Sequence, residues 1–291
     1  MRNTQLWISA LTLGSFYGLL GLAYYLIFIG AGFFNIAIGA YASMGGLITS
    51  WLVIEKDLSL WPAVAIALIG VMALAGLTEV AVVRVVQRRG RGTELAALVS
   101  VTAVLFLISQ FAGFTFGYTT LPGQQLVKID PIQIGDAVIT ANTLIMILFT
   151  FAIFLILAVL IRTTRAGRLL RAVGDSNPVA ALLGLPVRRV RLGAFFIAGL
   201  LAGIAGLLFS SQAGVSSTSG LNWAILGFLA VVIGGSGNVF GPLVGGLVLG
   251  AMQIFVPYYF GGNALNIVLL GVAAAFFALR PQGVFSQRVR V

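Results

Sequence analysis

The chain has 291 residues, 60% of them hydrophobic and 8% charged, with a net charge of +10 and neither cysteine nor histidine. Soluble domains carry about a quarter charged residues, so a water-facing surface is excluded, and a mean hydropathy of +1.10 makes lipid the main solvent. The lack of cysteine and histidine excludes disulfides, thiol catalysis and most transition-metal sites, and the positive balance reads as orientation by basic loops rather than binding of nucleic acid.

A helix needs about 20 apolar residues to cross the hydrocarbon core, so the charge-free runs map the spans. Residues 3–54 carry no charge. That run is too long for a secretory signal and offers no small-residue cleavage site, so it reads as retained membrane helix. It holds two crossings, broken near Gly30-Ala31-Gly32. Residues 58–78 hold a third that extends toward Arg84. Residues 95–127 hold a fourth that ends before the polar stretch from Tyr118, and 137–161 hold a fifth. The last run, 192–279, is divided at 210–222, 234–238 and 257–263. None of these runs alternates with period two, which argues against barrel strands. The expected fold is all-α, a single transmembrane domain over 1–291 with eight or nine crossings and glycine-broken helices.

The arginines orient it. Arg84, Arg88, Arg89 and Arg91 share one loop. Arg162, Arg165, Arg168, Arg171, Arg188, Arg189 and Arg191 share another, and Arg280, Arg288 and Arg290 the tail. The positive-inside rule places these segments in the cytoplasm. Glu55-Lys56-Asp57, Lys128 with Asp130 and Asp136, and the uncharged 210–222 then lie outside. With the 162–191 loop and the C-terminus both inside, an even number of crossings separates them. Residues 192–209, 239–256 and 264–279 give three. The fourth is a short glycine-rich segment near 222–237, unless a neighbour is re-entrant.

Two glycine clusters repeat an order of residues. Gly30, Gly32, Asn35, Gly39 and Gly45-Gly46 form the first, with Ser43 between. Gly234-Gly235, Gly237, Asn238, Gly241 and Gly245-Gly246 form the second. Small residues let helices pack closely in lipid. The same pattern fits paired broken helices lining a mid-membrane cavity. On that second reading Asn35, Gly39, Ser43, Gly234, Gly235, Gly237 and Asn238 line the translocation path.

Intramembrane acids mark ion coupling, and few are present. Glu79 reads as an interfacial partner of the nearby arginines, and Glu94 as a carboxylate at a helix N-terminus. No acid pair or histidine relay is available for a proton-driven carrier, although sodium held by backbone carbonyls stays open. A Walker A loop needs a lysine after glycine. The only lysines, Lys56 and Lys128, follow no glycine and lie outside. No nucleophile–base pair stands out, which argues against an enzyme. Asn177-Pro178, the one Asn-Pro, sits in the basic loop rather than in an aquaporin-like half-helix.

That loop carries the strongest local signal. Arg162, Arg165, Arg168 and Arg171 recur every three residues, as a stripe on a helix continuing out of the fifth span. Ser176 or Asn177 can cap a new helix, and Pro178 suits its first turn. Gly184 suits its end, and Pro186 forbids continuation. The helix at 178–183 is about 9 Å long, too short to stand alone in water, so it must pack on its own membrane domain or in a partner's groove. Arg188, Arg189 and Arg191 beyond it would meet acids on such a partner or anchor the sixth span.

Here the sequence resembles the branched-chain amino acid ABC importer permeases. "RTTRAGRLLRAVGDSNPVAALLGLPVRRVRLGAFFIAGLLAGIAGLL" (162–208) is similar to that family's central region, and "VVIGGSGNVFGPLVGGLVLG" (231–250) to its glycine-rich signature. "RPQGVF" (280–285) resembles its C-terminal end and "GLAYYLIFIGAGFFNIAIGAYASMGG" its opening. The resemblance implies an integral subunit of a bacterial inner-membrane importer. Its partners would be a second homologous permease, two cytoplasmic ABC ATPases and an extracytoplasmic solute-binding protein. This chain would bind no cofactor, with ATP-Mg on the ATPases. The coupling helix entering the ATPase groove would comprise Asp175, Ser176, Asn177, Pro178, Val179, Ala180, Ala181, Leu182, Leu183 and Gly184. Two departures stand out: Val179 replaces a glutamate common in the permease motif, and two residues rather than three separate Ala181 from Gly184. The expected solutes are small apolar amino acids. Urea or short amides, a stand-alone secondary transporter and a passive channel are the competing readings.

Overall fold

The computed structural model describes residues 3–89, 94–127, 130–134, 137–175 and 177–279. Arg2, Arg91, Lys128, Asp136, Ser176 and the tail from Arg280, with its arginines and "RPQGVF", lie outside the described residues.

The charge-free runs become helices. Helix α1 (Asn3–Ala31) ends where Gly32 takes φ +79°, and α2 (Ile38–Ile54) follows. Helix α3 (Leu60–Leu77) continues through a π-helical turn (Thr78–Val83) into α4 (Arg84–Arg89). Next come α5 (Glu94–Phe116), a small antiparallel hairpin of β1 (Ile132–Ile134) and β2 (Ala137–Ile139), and α6 (Ala141–Thr163). Helices α7 (Arg165–Asp175) and α8 (Asn177–Leu182) lead into α9 (Val187–Ala213). The chain then forms α10 (Ser219–Gly234), α11 (Gly241–Phe260) and α12 (Ala264–Leu279).

The architecture is all-α; the described residues include six helices long and apolar enough to cross a membrane and three shorter apolar ones, α2, α10 and α12. The fifth span begins later than the charge pattern implies. Residues 137–139 pair with 132–134 as strand, and the helix starts after Thr140, whose hydroxyl accepts from the Thr143 amide at 3.3 Å.

The two repeated clusters fold into the same turn. Asn35 Oδ1 accepts from the Ala37 amide at 3.0 Å and the Asn35 carbonyl from the Ile38 amide at 3.2 Å. Asn238 Oδ1 accepts from the Phe240 amide at 3.2 Å and its carbonyl from the Gly241 amide at 3.0 Å. In each case an asparagine side chain replaces the missing intrahelical partners just before a helix begins.

Helix α1 is the centre of the bundle. Lipid tails are as apolar as leucine, so helices here associate through close packing and hydrogen bonds rather than hydrophobic expulsion. The α1–α11 seam is built that way. A Cβ on Gly250 would stand 2.3 Å from Gly14 N, one on Gly246 2.4 Å from Gly18 N, and one on Gly21 2.9 Å from Pro242 Cβ. The pairing runs antiparallel and brings the two backbones into contact. Tyr17 Oη donates to Gln253 Oε1 at 2.8 Å and Tyr24 Oη to the Ala224 carbonyl at 2.9 Å. Such interhelical bonds contribute about 1 kcal/mol each in a bilayer. Phe16 stacks on Phe209 at 4.1 Å and meets the edge of Trp223 at 5.1 Å.

The two ends of the bundle differ. Trp7, Trp61, Tyr118, Tyr258 and Tyr259 are exposed at or beside helix ends remote from the arginine-rich segments, and Lys56 Nζ lies 5.0 Å over Trp51. Amphipathic aromatics mark a membrane–water boundary. At the opposite end, exposed Arg162, Arg165, Arg168, Arg171, Arg188 and Arg189 mark the other.

Candidate coupling segment and the ion cluster behind it

Thr164 separates α6 from α7. It takes extended backbone (φ −87°, ψ 160°), and its hydroxyl accepts from the Gly167 amide at 3.1 Å. The turn is tight: a Cβ on Gly167 would lie 2.3 Å from the Ile161 carbonyl oxygen. The arginines from 162 to 171 are therefore not one stripe on one helix. Arg162 lies in the last turn of α6, and the other three belong to α7, beyond the break at Thr164.

Helix α8 spans Asn177–Leu182, one residue earlier than the expected 178–183. Its end is a Schellman motif. Gly184 takes φ +74°, its amide donates to the Ala181 carbonyl at 3.1 Å, and the Leu185 amide donates to the Ala180 carbonyl at 3.0 Å. Pro186 stands at the N-cap of α9, so the chain leaves one helix and enters the next within four residues. Helix α8 packs against α7 and α9. Ala180 is buried, while Leu182 is 87% exposed, Leu183 72% and Val179 53%. This short helix and the residue after it thus expose three large apolar side chains. Asp175, which closes α7, and Ala181 are exposed as well. Asn177 and Pro178 form the first turn.

Behind this segment lies a buried ion cluster. Glu79 sits in the π turn with no solvent exposure. Its Oε2 meets Arg84 Nη2 at 2.7 Å and its Oε1 meets Arg191 Nε at 2.7 Å. Arg191 Nη1 also donates to Gln87 Oε1. The pairing with Arg84 agrees with the sequence; the second partner is new. Arg191 is therefore not available to a partner protein, unlike the exposed Arg188 and Arg189. It ties the first turns of α9 to the end of α3. A buried carboxylate is tolerated only when paired and hydrogen-bonded, and Glu79 has both. The signal was an acid within reach of more arginines than its own helix supplies.

The residues expected along a translocation path are tightly engaged. Asn35 is fully buried, with Nδ2 3.5 Å from Tyr41 Oη. Ser43 is buried and donates to the Ala40 carbonyl at 3.0 Å. A Cβ on Gly39 would lie 2.0 Å from the Gly220 carbonyl oxygen, and one on Gly234 1.8 Å from that of Gly241. Gly235 ends α10 at φ +84°, and Gly237 and Asn238 lie half-buried in the turn before α11. The first cluster meets the N-terminal end of α10 and the second forms its C-terminal end, so one helix separates them. Both pack helices closely.

Long apolar helices and a loop presenting a short helix with exposed leucines at its end are the features of a polytopic membrane protein. The model of the branched-chain amino acid transport system permease component matches residues 6–278, and the chain belongs to that family. It is a membrane permease subunit of an ABC importer. The high-affinity branched-chain amino acid transport system permease protein LivH of Salmonella typhimurium is 28% identical, over 97% of this chain and 95% of that one. BraD of Pseudomonas aeruginosa, a permease of the same description, is 26% identical over 96% and 94%. A probable LivH of Methanocaldococcus jannaschii is 24% identical over 91% and 87%. Among solved structures, PsaBC from Streptococcus pneumoniae, in complex with Fab, aligns over 94% of this chain and 91% of that one with a TM-score of 0.51 and 13% identity, a likeness of fold.

Proposed function

We propose that this chain forms half of the translocation pathway of a bacterial inner-membrane importer for branched-chain or other small apolar amino acids. A second homologous permease completes the pathway. Two cytoplasmic ATPases bind and hydrolyse ATP-Mg, and an extracytoplasmic protein delivers the solute. The C-terminus lies in the cytoplasm. The six long helices cross the bilayer, and α10 and α12, with or without α2, bring the crossings to the nine or eight that the charge pattern requires.

The observation that carries this reading is α8. Its Leu182 and Leu183 are 87% and 72% exposed at the arginine-rich end, where water meets them unless a partner does. Docked in a groove of an ATPase, α8 would transmit ATP-driven motion through α7 and α9. Asp175, Val179, Ala181, Leu182 and Leu183 would form the contact, Asn177 and Pro178 would start the helix, and Ala180 would seat it on the permease.

Reconstitution tests it. The chain with its second permease, ATPases and binding protein should take up leucine only with ATP, and excess urea should leave that uptake unchanged. Uptake by the chain alone, driven by a sodium or proton gradient, would overturn the proposal.

A further inference from the structure

At the arginine-rich end of the bundle, α1, α6, α7 and α9 enclose a groove of about 460 Å³. Its walls are apolar, with Leu157 and Ile161 from α6, Leu170 from α7, and Val190 and Ile197 from α9. Among the described residues of the lining, Arg189 carries the only charge. Leu160 and Ile197 line the groove and are themselves exposed, and Leu160 continues an exposed apolar strip of α6 formed by Leu155, Ile156 and Val159. An acyl chain reaches the groove along that strip without crossing a polar rim.

The sequence leaves the space open. Gly193 stands in the wall, inside α9, with nothing within 4 Å of where a Cβ would be. Glycine weakens a helix interior. On the α1–α11 seam, backbone contact offsets that loss; at Gly193 no described residue fills the space.

The charge around the opening is uncompensated. Among the described residues the ion pairs are those of Glu79 with Arg84 and Arg191. Arg162, Arg165, Arg168, Arg188 and Arg189 are exposed and form none. Arg162, Arg165 and Arg168 each neighbour a lining residue in the chain, Ile161, Ala166 and Gly167 in turn. Arg168 Nη1 donates to the Thr163 carbonyl at 3.1 Å, which turns it back over the end of α6. Helix α7 carries Arg165, Arg168 and Arg171 on one face, with Asp175 at its end, and sets Leu169, Leu170 and Val173 on the other. A basic amphipathic helix of that kind lies in the membrane interface.

We infer that the groove binds an anionic phospholipid, with one acyl chain against Leu170, Gly193 and Ile197 and its phosphate on Arg189 and the arginines at the start of α7. Arginine pairs with phosphate bidentately, and each basic residue near an anionic membrane surface favours binding about fivefold. The apolar walls call for a chain, so free phosphate does not fill the site. A lipid seated here fastens α7, and with it the root of α8, to the bilayer. The site is independent of which solute is carried.

The test is photo-cross-linking of the assembled transporter in nanodiscs that contain a trace of phosphatidylglycerol with a diazirine in its acyl chain. Label should fall on residues 157–170 and 186–197. Unlabelled phosphatidylglycerol should compete about fivefold better than phosphatidylcholine, or more, and inorganic phosphate should not compete. Arg189→Gln, at an exposed position, should reduce the preference for phosphatidylglycerol about fivefold. Gly193→Phe extends into the empty space and should remove the label from these segments, with ATPase co-purification and thermal unfolding unchanged. Equal competition by the two lipids, an unchanged preference in Arg189→Gln, or competition by inorganic phosphate overturns the site. So does label that persists in a folded Gly193→Phe protein. Absence of label from these segments while residues 148–156 of α6 are labelled means that a protein surface covers the groove, and it overturns the lipid as occupant.

Discussion

Along α1 and α11 the side chains are small and the backbones touch; on α8 the side chains are large and face outward. Gly14, Gly18, Gly246 and Gly250 let main-chain atoms meet where any Cβ would collide. Leu182 and Leu183 stand in the open at the arginine-rich end. The residues with the least chemistry hold the fold, and ordinary leucines form the surface proposed to meet a partner. In water the assignment would be reversed. In lipid, burying a leucine against another helix gains little over burying it in acyl chains, so close backbone approach decides which helices pair. Outside the bilayer, an exposed leucine regains its meaning as unsatisfied apolar surface.

The largest expected effect comes from breaking the seam. Gly246→Val puts a Cβ 2.4 Å from Gly18 N, and no rotamer relieves a clash with backbone. The helices must separate, and the loss of close contact along α1 should leave little monodisperse protein in size-exclusion chromatography. Near-normal yield would show that the seam is looser than the comparison requires.

Next is the ion cluster. Glu79→Ala leaves Arg191, whose side chain is 11% exposed, without its carboxylate. Removing one member of a buried pair costs about 3–5 kcal/mol, read as a fall in thermal unfolding temperature. Combining Glu79→Ala with Arg191→Met should cost less than the sum, because the second change removes the stranded charge. Additive losses would mean that the two side chains do not act as a pair.

What the sequence disclosed follows from how local each feature is. Helix α8 was legible because Pro178, Gly184 and Pro186 act on their own turn. The spans were legible because a charge-free run is a property of consecutive residues. Arg191 could not be assigned to Glu79, since the two lie 112 residues apart and α9 had to be folded against α3 first. The repeated Asn-containing turn was visible as a pattern, but whether glycines beside it line a cavity or pack a helix depends on what stands opposite. The central place of α1 had a signal that went unread: Gly14-x-x-x-Gly18 and Gly246-x-x-x-Gly250 are small-residue spacings that favour close pairing. The hairpin at 132–139 was missed because three apolar residues, Ala137 to Ile139, read equally as strand or as the start of a span.

A smaller effect is expected at the end of α8. Gly184 has nothing within 4 Å of where a Cβ would stand, but its φ is +74°. Gly184→Ala therefore meets no clash and costs about 1 kcal/mol through backbone conformation alone. Amide hydrogen exchange should be faster at position 184 and at Leu185, whose amides close the motif, with the seam unchanged. Loss of protection throughout the bundle would mean that α8 is part of the core rather than an appendage to it.

The smallest effect on the fold should come with a complete effect on assembly. Leu182→Asp replaces a side chain that is 87% exposed, so little packing is lost and stability should stay within about 0.5 kcal/mol. If α8 enters an apolar groove, the same change places a carboxylate where it must be desolvated without a partner, and several kcal/mol of binding are forfeited. Thermal unfolding should match the parent chain while the ATPase no longer co-purifies. The seam variant should fail in the opposite order, losing the fold first. A Leu182→Asp protein that keeps its ATPase and its uptake would remove the outward-facing leucine from the docking surface and leave α8 as a turn between α7 and α9.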